Sequence, residues 1–282
     1  MPGVSVNLRP SIEERFLRPS VMGVINVTPD SFSDGGVHLR PEAAVAAAWR
    51  MLDDGAAIVD IGGESTRPGS SGVSAEEELR RVVPVLEALA GAPVSIDTSK
   101  AEVARRALEL GAELVNDVMA LRGDRALAGV IAEAGAYVCL MHMRGEPRTM
   151  QADPAYDDVV SEVKAFLEER LAFAVAQGIR EELVCLDPGI GFGKTVEHNF
   201  ELVRRLDELV ALGRPVLVGF SRKSSLGRIM GDPSATTGTM AASVGAAVAA
   251  YDRGATILRV HDVREHVEAL RAAQAVAQAV TQ

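Results

Sequence analysis

Cysteine is scarce in this chain, which contains only Cys139 and Cys185 among its 282 residues. Two cysteines do not suggest the disulfide framework of a small secreted fold. Both fall within apolar runs that have the composition of strands. We therefore predict buried, free thiols in a protein that works in a reducing compartment.

The chain has neither a net positive charge nor a long apolar run. The chain has 29 Lys and Arg against 39 Asp and Glu, a net charge of −10, so a surface for nucleic acid or anionic membranes is not expected. A local basic pocket for a small anion remains compatible with this balance. No apolar run approaches the roughly 20 residues that span a membrane, and residues 1–10 lack the apolar core of a signal peptide. We expect a cytoplasmic protein.

Several catalytic motifs are absent as well. No histidine belongs to an HExxH zinc motif and no Gly-x-Ser-x-Gly elbow occurs, which disfavours hydrolysis by zinc or serine. The Gly-rich stretch 187–194, DPGIGFGK, is not a P-loop, because Pro188 occupies the position of the first glycine. It is not a dinucleotide fingerprint either, because Lys194 stands where a third glycine is needed.

What the sequence does contain is a repeated unit of a short apolar strand, a loop and an amphipathic helix. Strands are predicted at residues 21–26, 57–61, 94–97, 114–116, 137–141, 184–186, 216–219 and 257–259. Helices are predicted at residues 41–53, 75–90, 101–110, 125–134, 156–177, 197–212, 237–252 and 263–279. Buried strands joined by helices form parallel sheets, and eight such units are typical of a (β/α)8 TIM barrel. A doubly wound open sheet is the alternative.

We predict an α/β protein with a single barrel domain at residues 21–282, preceded by a cap at residues 1–20. Within this cap, residues 4–8 and Arg15-Phe16 are predicted to form a short hairpin that plugs the bottom of the barrel.

Polar residues collect where the predicted strands end. A TIM barrel carries its functional side chains at these C-terminal ends, whereas an open sheet gathers them at one switch point. A single polar residue there can simply cap the next helix, but eight around one rim would define a site. In strand order the rim residues include Asn26, Arg67, Asp97, Asn116, His142, Asp187, Lys223 and Arg259.

These residue types favour binding of a flat, polar ring. Asp97, Asn116 and Asp187 can bond the amide and amino edge of a heterocycle, although capping of the next helix is the alternative for each. Lys223 would supply a point charge, and its alternative is a solvated lysine in a first helical turn.

A phosphate site is indicated at the end of the last strand. Arg259 and His261 are two residues apart, so they point to one side of an extended strand. Together with Arg67 they are candidates to bind a phosphate or diphosphate. Asn26, followed by Asp30 and Asp34, suggests Mg²⁺ rather than zinc, with the ion held largely by substrate phosphates; a solvated turn is the alternative.

Two long stretches resemble the signatures of a known family. Residues 22–36, MGVINVTPDSFSDGG, and residues 60–69, DIGGESTRPG, resemble the first and second motifs of the dihydropteroate synthases. Shorter matches follow in the order of that family at residues 95–98, 116–117, 140–143, 187–194, 221–223 and 259–263. The likeness covers the chain from about Val21 to its end.

The resemblance implies a Mg²⁺-dependent transferase of folate biosynthesis on a TIM barrel. It would join 4-aminobenzoate to 6-hydroxymethyl-7,8-dihydropterin diphosphate, releasing 7,8-dihydropteroate and diphosphate. The implied pterin pocket comprises Asp97, Asn116, Met141, Asp187, Gly219, Lys223 and Arg259, of which Asp97, Asp187 and Lys223 would be catalytic. The implied diphosphate site comprises Asn26, Arg67, Arg259 and His261, with Asn26 as metal ligand. The implied aminobenzoate site, shared with sulfonamides, comprises Thr66, Pro68, Phe192, Ser221 and Lys223.

The resemblance also implies a homodimer formed through barrel helices, for which the small residues of 239–250 offer a face. Two other functions stay open. Methyltransferase domains that use methyltetrahydrofolate and a corrinoid partner share the barrel but should not need the diphosphate residues or the full first loop. A paralogue that binds pterin without catalysis is the other. Residues 119–122, MALR, are larger than in many family members, and their effect on the pocket is left open.

Overall fold

The computed structural model describes residues 9–28, 41–65, 70, 72–146 and 148–279. Eight parallel strands form one sheet in the order β6-β5-β4-β3-β2-β1-β8-β7. A parallel bridge between Leu186 and Val216 joins the two outer strands and closes the sheet into a barrel. The predicted TIM barrel is therefore confirmed, and the open sheet is excluded.

The strands of the barrel are β1 (Ser20–Asn26), β2 (Ile58–Gly62), β3 (Val94–Asp97), β4 (Leu114–Asp117), β5 (Tyr137–Met141), β6 (Val184–Asp187), β7 (Leu217–Val218) and β8 (Ile257–Val260). The helices are α1 (Ile12–Arg15), α2 (Pro41–Asp53), α3 (Ala75–Ala88), α4 (Ala101–Glu109), α5 (Leu127–Ala134), α6 (Val159–Ala176), α7 (Val196–Arg204), α8 (Leu206–Val210), α9 (Ser224–Arg228), α10 (Met240–Asp252) and α11 (Val263–Ala279). Across the described residues, no helix has the length and apolar character needed to span a bilayer.

Alternation along the strands separates two layers of the core. Val59 and Ile61 of β2 face outward and pack with the helices, as do their counterparts on the other strands. Ile58 faces the barrel interior, where a second apolar cluster fills the lower half. Cys139 and Cys185 lie side by side in this inner cluster as buried free thiols, as predicted.

The bottom of the barrel is plugged by α1 rather than by a hairpin. Ile12 and Phe16 are fully buried in the inner cluster, and Phe16 packs edge-on against Tyr137 at 6.0 Å between ring centroids. Ser11 caps the helix through a reciprocal capping box with Glu14, which is why this stretch turns instead of extending. The hairpin prediction was wrong for Arg15-Phe16, whereas residues 4–8 lie outside the described part of the chain.

Candidate active site

A layer of polar side chains occupies the upper barrel interior, directly above the apolar cluster. The inward-facing positions of the strand ends carry Asn26, Asp60, Asp97, Asn116, Met141, Asp187 and Arg259. Because all these strands are parallel, their C-terminal ends meet at one mouth. The sequence-predicted pterin residues are therefore brought together.

Arg259 and Asp60 connect three of these strands. Arg259 donates from Nε to Asp60 Oδ2 at 2.7 Å and from Nη2 to Asp97 Oδ2 at 2.8 Å. Asn116 donates from Nδ2 to the same oxygen of Asp60 at 2.9 Å. Since an ionised carboxylate only accepts hydrogen bonds, this contact fixes the amide of Asn116 and leaves its Oδ1 as an acceptor for a ligand.

Burial shifts the pKa values of the ionisable groups in this layer. Desolvation raises the pKa of Asp97 to about 7, although Arg259 opposes the rise. Burial disfavours the charged form of Arg259, but the carboxylates of Asp60 and Asp97 outweigh it and hold the guanidinium pKa above its ordinary value. Burial also raises the pKa of Asp187, whose Oδ1 accepts from the backbone N–H of Gly189 at 2.7 Å. The mouth thus combines two carboxyls of raised pKa with one permanent cation.

Lys223 enters the mouth from the loop after β7. Its Nζ donates to the carbonyl oxygen of Ile190 and lies 4.4 Å from the centre of the Phe192 ring. Burial lowers the pKa of Lys223 to about 8, with Asp187 acting in the opposite direction. The lysine also occupies the position before α9, a helix of low propensity that was not predicted. Its ammonium is therefore aimed at the mouth by a short helix start.

Close packing explains the glycines after β6. A Cβ at Gly189 would lie 1.8 Å from the carbonyl oxygen of His142, and one at Gly191 would lie 2.8 Å from Cδ of Lys223. Both residues have positive φ, 68° and 82°. The glycines bring this loop against the end of β5 and against Lys223, rather than cradling an anion with their own backbone.

Two further polar residues border the mouth beside Lys223. His261 Nδ1 lies 3.1 Å from Ser221 Oγ, which also accepts from the backbone N–H of His261 at 3.2 Å. Burial lowers the pKa of His261 to about 4, and Arg259 adds to the effect. His261 is therefore neutral at pH 7, so its contribution to anion binding is a hydrogen bond rather than a charge.

Comparison with known proteins identifies the family. The family model of the pterin binding enzymes matches residues 22–261. The dihydropteroate synthase of Escherichia coli (strain K12) is 49% identical over 262 residues, 91% of this chain and 91% of that protein. The chain belongs to the dihydropteroate synthase family.

Solved dihydropteroate synthases share the fold throughout. The Xanthomonas albilineans enzyme with 4-aminobenzoic acid has a TM-score of 0.85 and 49% identity, covering 93% of this chain and 94% of that chain. The same enzyme with 7,8-dihydropteroate has a TM-score of 0.82 and 47% identity over the same shares. The Yersinia pestis enzyme in a sulfonamide drug complex has a TM-score of 0.85 and 47% identity, covering 93% and 95%.

An apolar pad adjoins the polar layer, and such a surface suits a flat ring. Met141 packs with Val118, Met143 and Met150, and Met119 and Phe192 lie against this group. Residues 119–122 are the stretch that is larger than in many family members. Met119 lies on the pad, while Ala120 and Leu121 turn into the protein core. On the far side of the mouth, Gly219 leaves room beside Arg259, whose Cβ would lie 3.7 Å from a Cβ built at that glycine.

Part of the predicted site falls outside the described residues. This applies to Thr66, Arg67 and Pro68 of the second motif and to Asp30 and Asp34 of the first. Asn26 is described, is half-buried at the end of β1, and its side chain has no hydrogen-bond partner within the described ranges. Over those same ranges, no group of three or more His, Cys, Asp or Glu side chains is arranged to hold a metal ion.

Three contacts around the candidate site were not predicted: those of Asp60, those of Lys194, and that of His142 with the Gly-rich loop. The sequence offered a signal for Asp60, because it is a charged residue inside an apolar strand. It points to the barrel interior, as do Ile58 and Gly62, two residues before and after it. The contact between Lys194 and His142 had no signal in the sequence, since only the fold brings the two side chains within 2.9 Å of each other.

Proposed function

We propose that this site joins 4-aminobenzoate to 6-hydroxymethyl-7,8-dihydropterin diphosphate. One observation carries the proposal. The acceptors Asp97, Asn116 and Asp187 share one mouth with the donors Lys223 and Arg259, over an apolar pad. The 2-amino and ring N–H groups of a pterin are donors and its ring carbonyl is an acceptor, so this arrangement matches both sides of its polar edge.

The diphosphate would lie between β1 and β8. Arg259 keeps the donors on Nη1 free of any partner in the described part of the chain, and His261 borders the same strand end. Arg67 is assigned here from its motif alone. We propose Mg²⁺ as the cofactor, because the half-buried amide oxygen of Asn26 is an oxygen donor of the kind that ion accepts. When bound, the ion would neutralise charge on the leaving diphosphate.

The aminobenzoate would lie on the outer side of the pterin. Phe192 offers the face of its ring and Lys223 offers a cation beside it. Ser221, which is buried next to His261, borders the same space. Thr66 and Pro68 are assigned here from the second motif alone. The relatives bound to 4-aminobenzoic acid and to a sulfonamide support this assignment.

The proposed reaction breaks the bond between the exocyclic methylene and the diphosphate oxygen, and the electron pair leaves with diphosphate. Electron density from the dihydropterin ring stabilises the positive charge that develops at the methylene, and the carboxyls of Asp97 and Asp187 lie beside it. The amine of 4-aminobenzoate then supplies the electron pair of the new C–N bond and releases a proton. The neutral amine needs little activation, so we assign no general base.

The decisive experiment measures diphosphate release by the purified protein, supplied with the dihydropterin diphosphate and Mg²⁺, with and without 4-aminobenzoate. Release that depends on aminobenzoate and yields dihydropteroate is expected, and omission of Mg²⁺ should abolish it. Lys223→Ala should lower turnover by a factor on the order of 10² or more, whereas Lys164→Ala on the outer helix α6 should not. Pterin binding without turnover would instead indicate an inactive paralogue.

We propose a homodimer as the assembly. Helix α10 exposes a stripe of small residues, Ala241, Gly245 and Ala249, at intervals of four, and small residues permit close approach of a second helix. Sedimentation of the wild-type protein and of Gly245→Glu tests this assembly. A dimer that dissociates in the variant is expected, and a monomeric wild type would contradict it.

A further inference from the structure

A second lysine, Lys194, binds the carbonyl oxygens of the Gly-rich loop. Lys194 is only 3% exposed. Its Nζ lies 3.0 Å from the carbonyl oxygens of Gly189 and Phe192, 3.4 Å from that of His142 and 2.9 Å from His142 Nδ1. One side chain therefore ties the start and the end of the loop to the residue that follows β5.

The partners of Lys194 are all uncharged. No carboxylate lies within hydrogen-bond distance of its Nζ among the described residues, and burial lowers the pKa of Lys194 well below its ordinary value. Burial likewise lowers the pKa of His142 to about 2, so the imidazole is neutral. Four hydrogen-bonding atoms nevertheless surround this buried amine, so its contacts are specific to the loop and to the end of β5.

The loop itself has no regular secondary structure to hold it. Instead, side chains bind its carbonyl oxygens one after another: Lys194 binds those of Gly189 and Phe192, Lys223 that of Ile190, Gln151 that of Gly191 and Tyr156 that of Gly193. Gln151 is exposed, and Tyr156 is half-buried. Of these donors, Lys194 alone binds two carbonyl oxygens of the loop, and it also contacts His142 at the end of β5.

Phe192 is the residue whose position depends most directly on this arrangement. Its carbonyl accepts from Lys194, its backbone N–H donates to Gly189 at 3.0 Å, and its ring faces the Nζ of Lys223 on the other side. Lys194 fixes the backbone at both ends of that turn. Without these bonds, rotation of the 192 peptide would move the ring relative to Lys223.

We propose that Lys194 is a positioning residue for the aminobenzoate side of the site, acting through the Phe192 ring. This inference rests on the proposed function only in taking Phe192 as a wall for aminobenzoate. Three of the proposed pterin residues, Asp97, Asn116 and Arg259, are held independently of Lys194, by Asp60 and by one another.

Lys194→Met tests the proposal, because methionine keeps most of the unbranched side chain and removes every donor. We expect the KM for 4-aminobenzoate to rise about tenfold, the effect of losing one to two buried hydrogen bonds. The KM for the dihydropterin diphosphate should change less than about twofold. Lys194→Gln, which keeps a donor, should give a smaller rise in the same constant.

Arg15→Met is the matched control at the opposite end of the barrel, where Arg15 binds Glu113 and the carbonyl of Ala57. It should lower stability without separating the two KM values. Equal changes in both KM values for Lys194→Met, or no change in either, would overturn the proposal. So would failure of both Lys194 variants to fold, since that would assign Lys194 to the fold alone. A wild type without synthase activity would refute the proposed function instead.

Discussion

Asp60 fixes the orientation of Asn116 on the proposed pterin side of the mouth. It is fully buried, and one of its oxygens accepts from both Asn116 and Arg259. Asp60→Asn would offer an amide that can turn either way, so the amide of Asn116 would lose its fixed orientation. We expect the KM for the dihydropterin diphosphate to rise at least about tenfold, measured with aminobenzoate saturating.

Ser95 provides the control for that substitution. It is the register partner of Asp60 on β3, is equally buried, and its hydroxyl has no partner in the described structure. Ser95→Ala should therefore leave both KM values close to those of the wild type. A normal pterin KM in Asp60→Asn would contradict the positioning role of Asp60.

The pH dependence of the reaction follows from two residues. Asp97 has a pKa of about 7 and, in its proposed role, must be ionised to accept hydrogen bonds from the pterin, so kcat/KM should fall as the pH drops below that value. Lys223 has a pKa of about 8 and must be protonated, so kcat/KM should fall above it. We expect a bell-shaped profile with a narrow optimum between these values. In Lys223→Arg the alkaline limb should move upward, because a guanidinium keeps its proton; an unmoved limb would exclude Lys223 as its source.

Strand ends and motifs marked residues that the fold brings around one mouth. Asp97, Asn116, Met141, Asp187 and Arg259 do line one mouth, but their individual roles stay predictions. Lys194 could not be predicted, because its partners at positions 142, 189 and 192 become neighbours only when β5 and β6 pair. The contact of Arg259 with Asp60 likewise joins strands that are distant in the sequence.

At the scale of elements, long periodic segments were predicted better than short ones. Helices α2 and α11 have the predicted bounds at both ends. The helix predicted at residues 197–212 is instead divided into α7 and α8 at Arg205, whose φ of −109° and ψ of 31° leave the helical region. Arg205 bonds Asp158 and Glu208 across this break. Tertiary contacts of this kind leave no periodic signal in the sequence.

The Gly-rich loop is the element whose geometry is most sensitive to side-chain volume. At Gly189 an added Cβ would overlap the carbonyl oxygen of His142, which is backbone and cannot move aside. Gly189→Ala should therefore cost several kcal/mol of unfolding free energy, on the order of an overpacked core site or more, and should abolish turnover. Urea denaturation and the synthase assay measure the two effects.

A variant at Gly135 distinguishes the cost of the steric overlap at Gly189 from the cost of its positive φ. Its φ of 58° is close to the 68° of Gly189, but no atom lies within 4 Å of a Cβ built there. Gly135→Ala should cost only about 1 kcal/mol, the conformational penalty alone, with turnover unchanged. Equal losses in the two variants would mean that backbone strain, not the contact with β5, governs the loop.

At the scale of the whole molecule, the barrel separates stability from catalysis along its axis. Eightfold repetition made the closed barrel predictable, since each unit buries both faces of its strand. Apolar side chains fill the lower interior and the polar layer lies above them. A substitution at the bottom should therefore change the free energy of unfolding without reaching the site.

Phe16 tests that separation. It is fully buried in the plug and packs on Tyr137, so Phe16→Ala should lower the free energy of unfolding by about 3–5 kcal/mol. Leu17→Ala, at the adjacent and 72% exposed position, should have little effect on stability. Both KM values of Phe16→Ala should match the wild type at a temperature where the variant is folded, because Phe16 packs within the lower apolar cluster and not within the polar layer. A rise in either KM would show instead that the packing of the lower barrel sets the spacing of Asp60, Asp97 and Asn116 above it. Stability and substrate binding would then depend on the same packing.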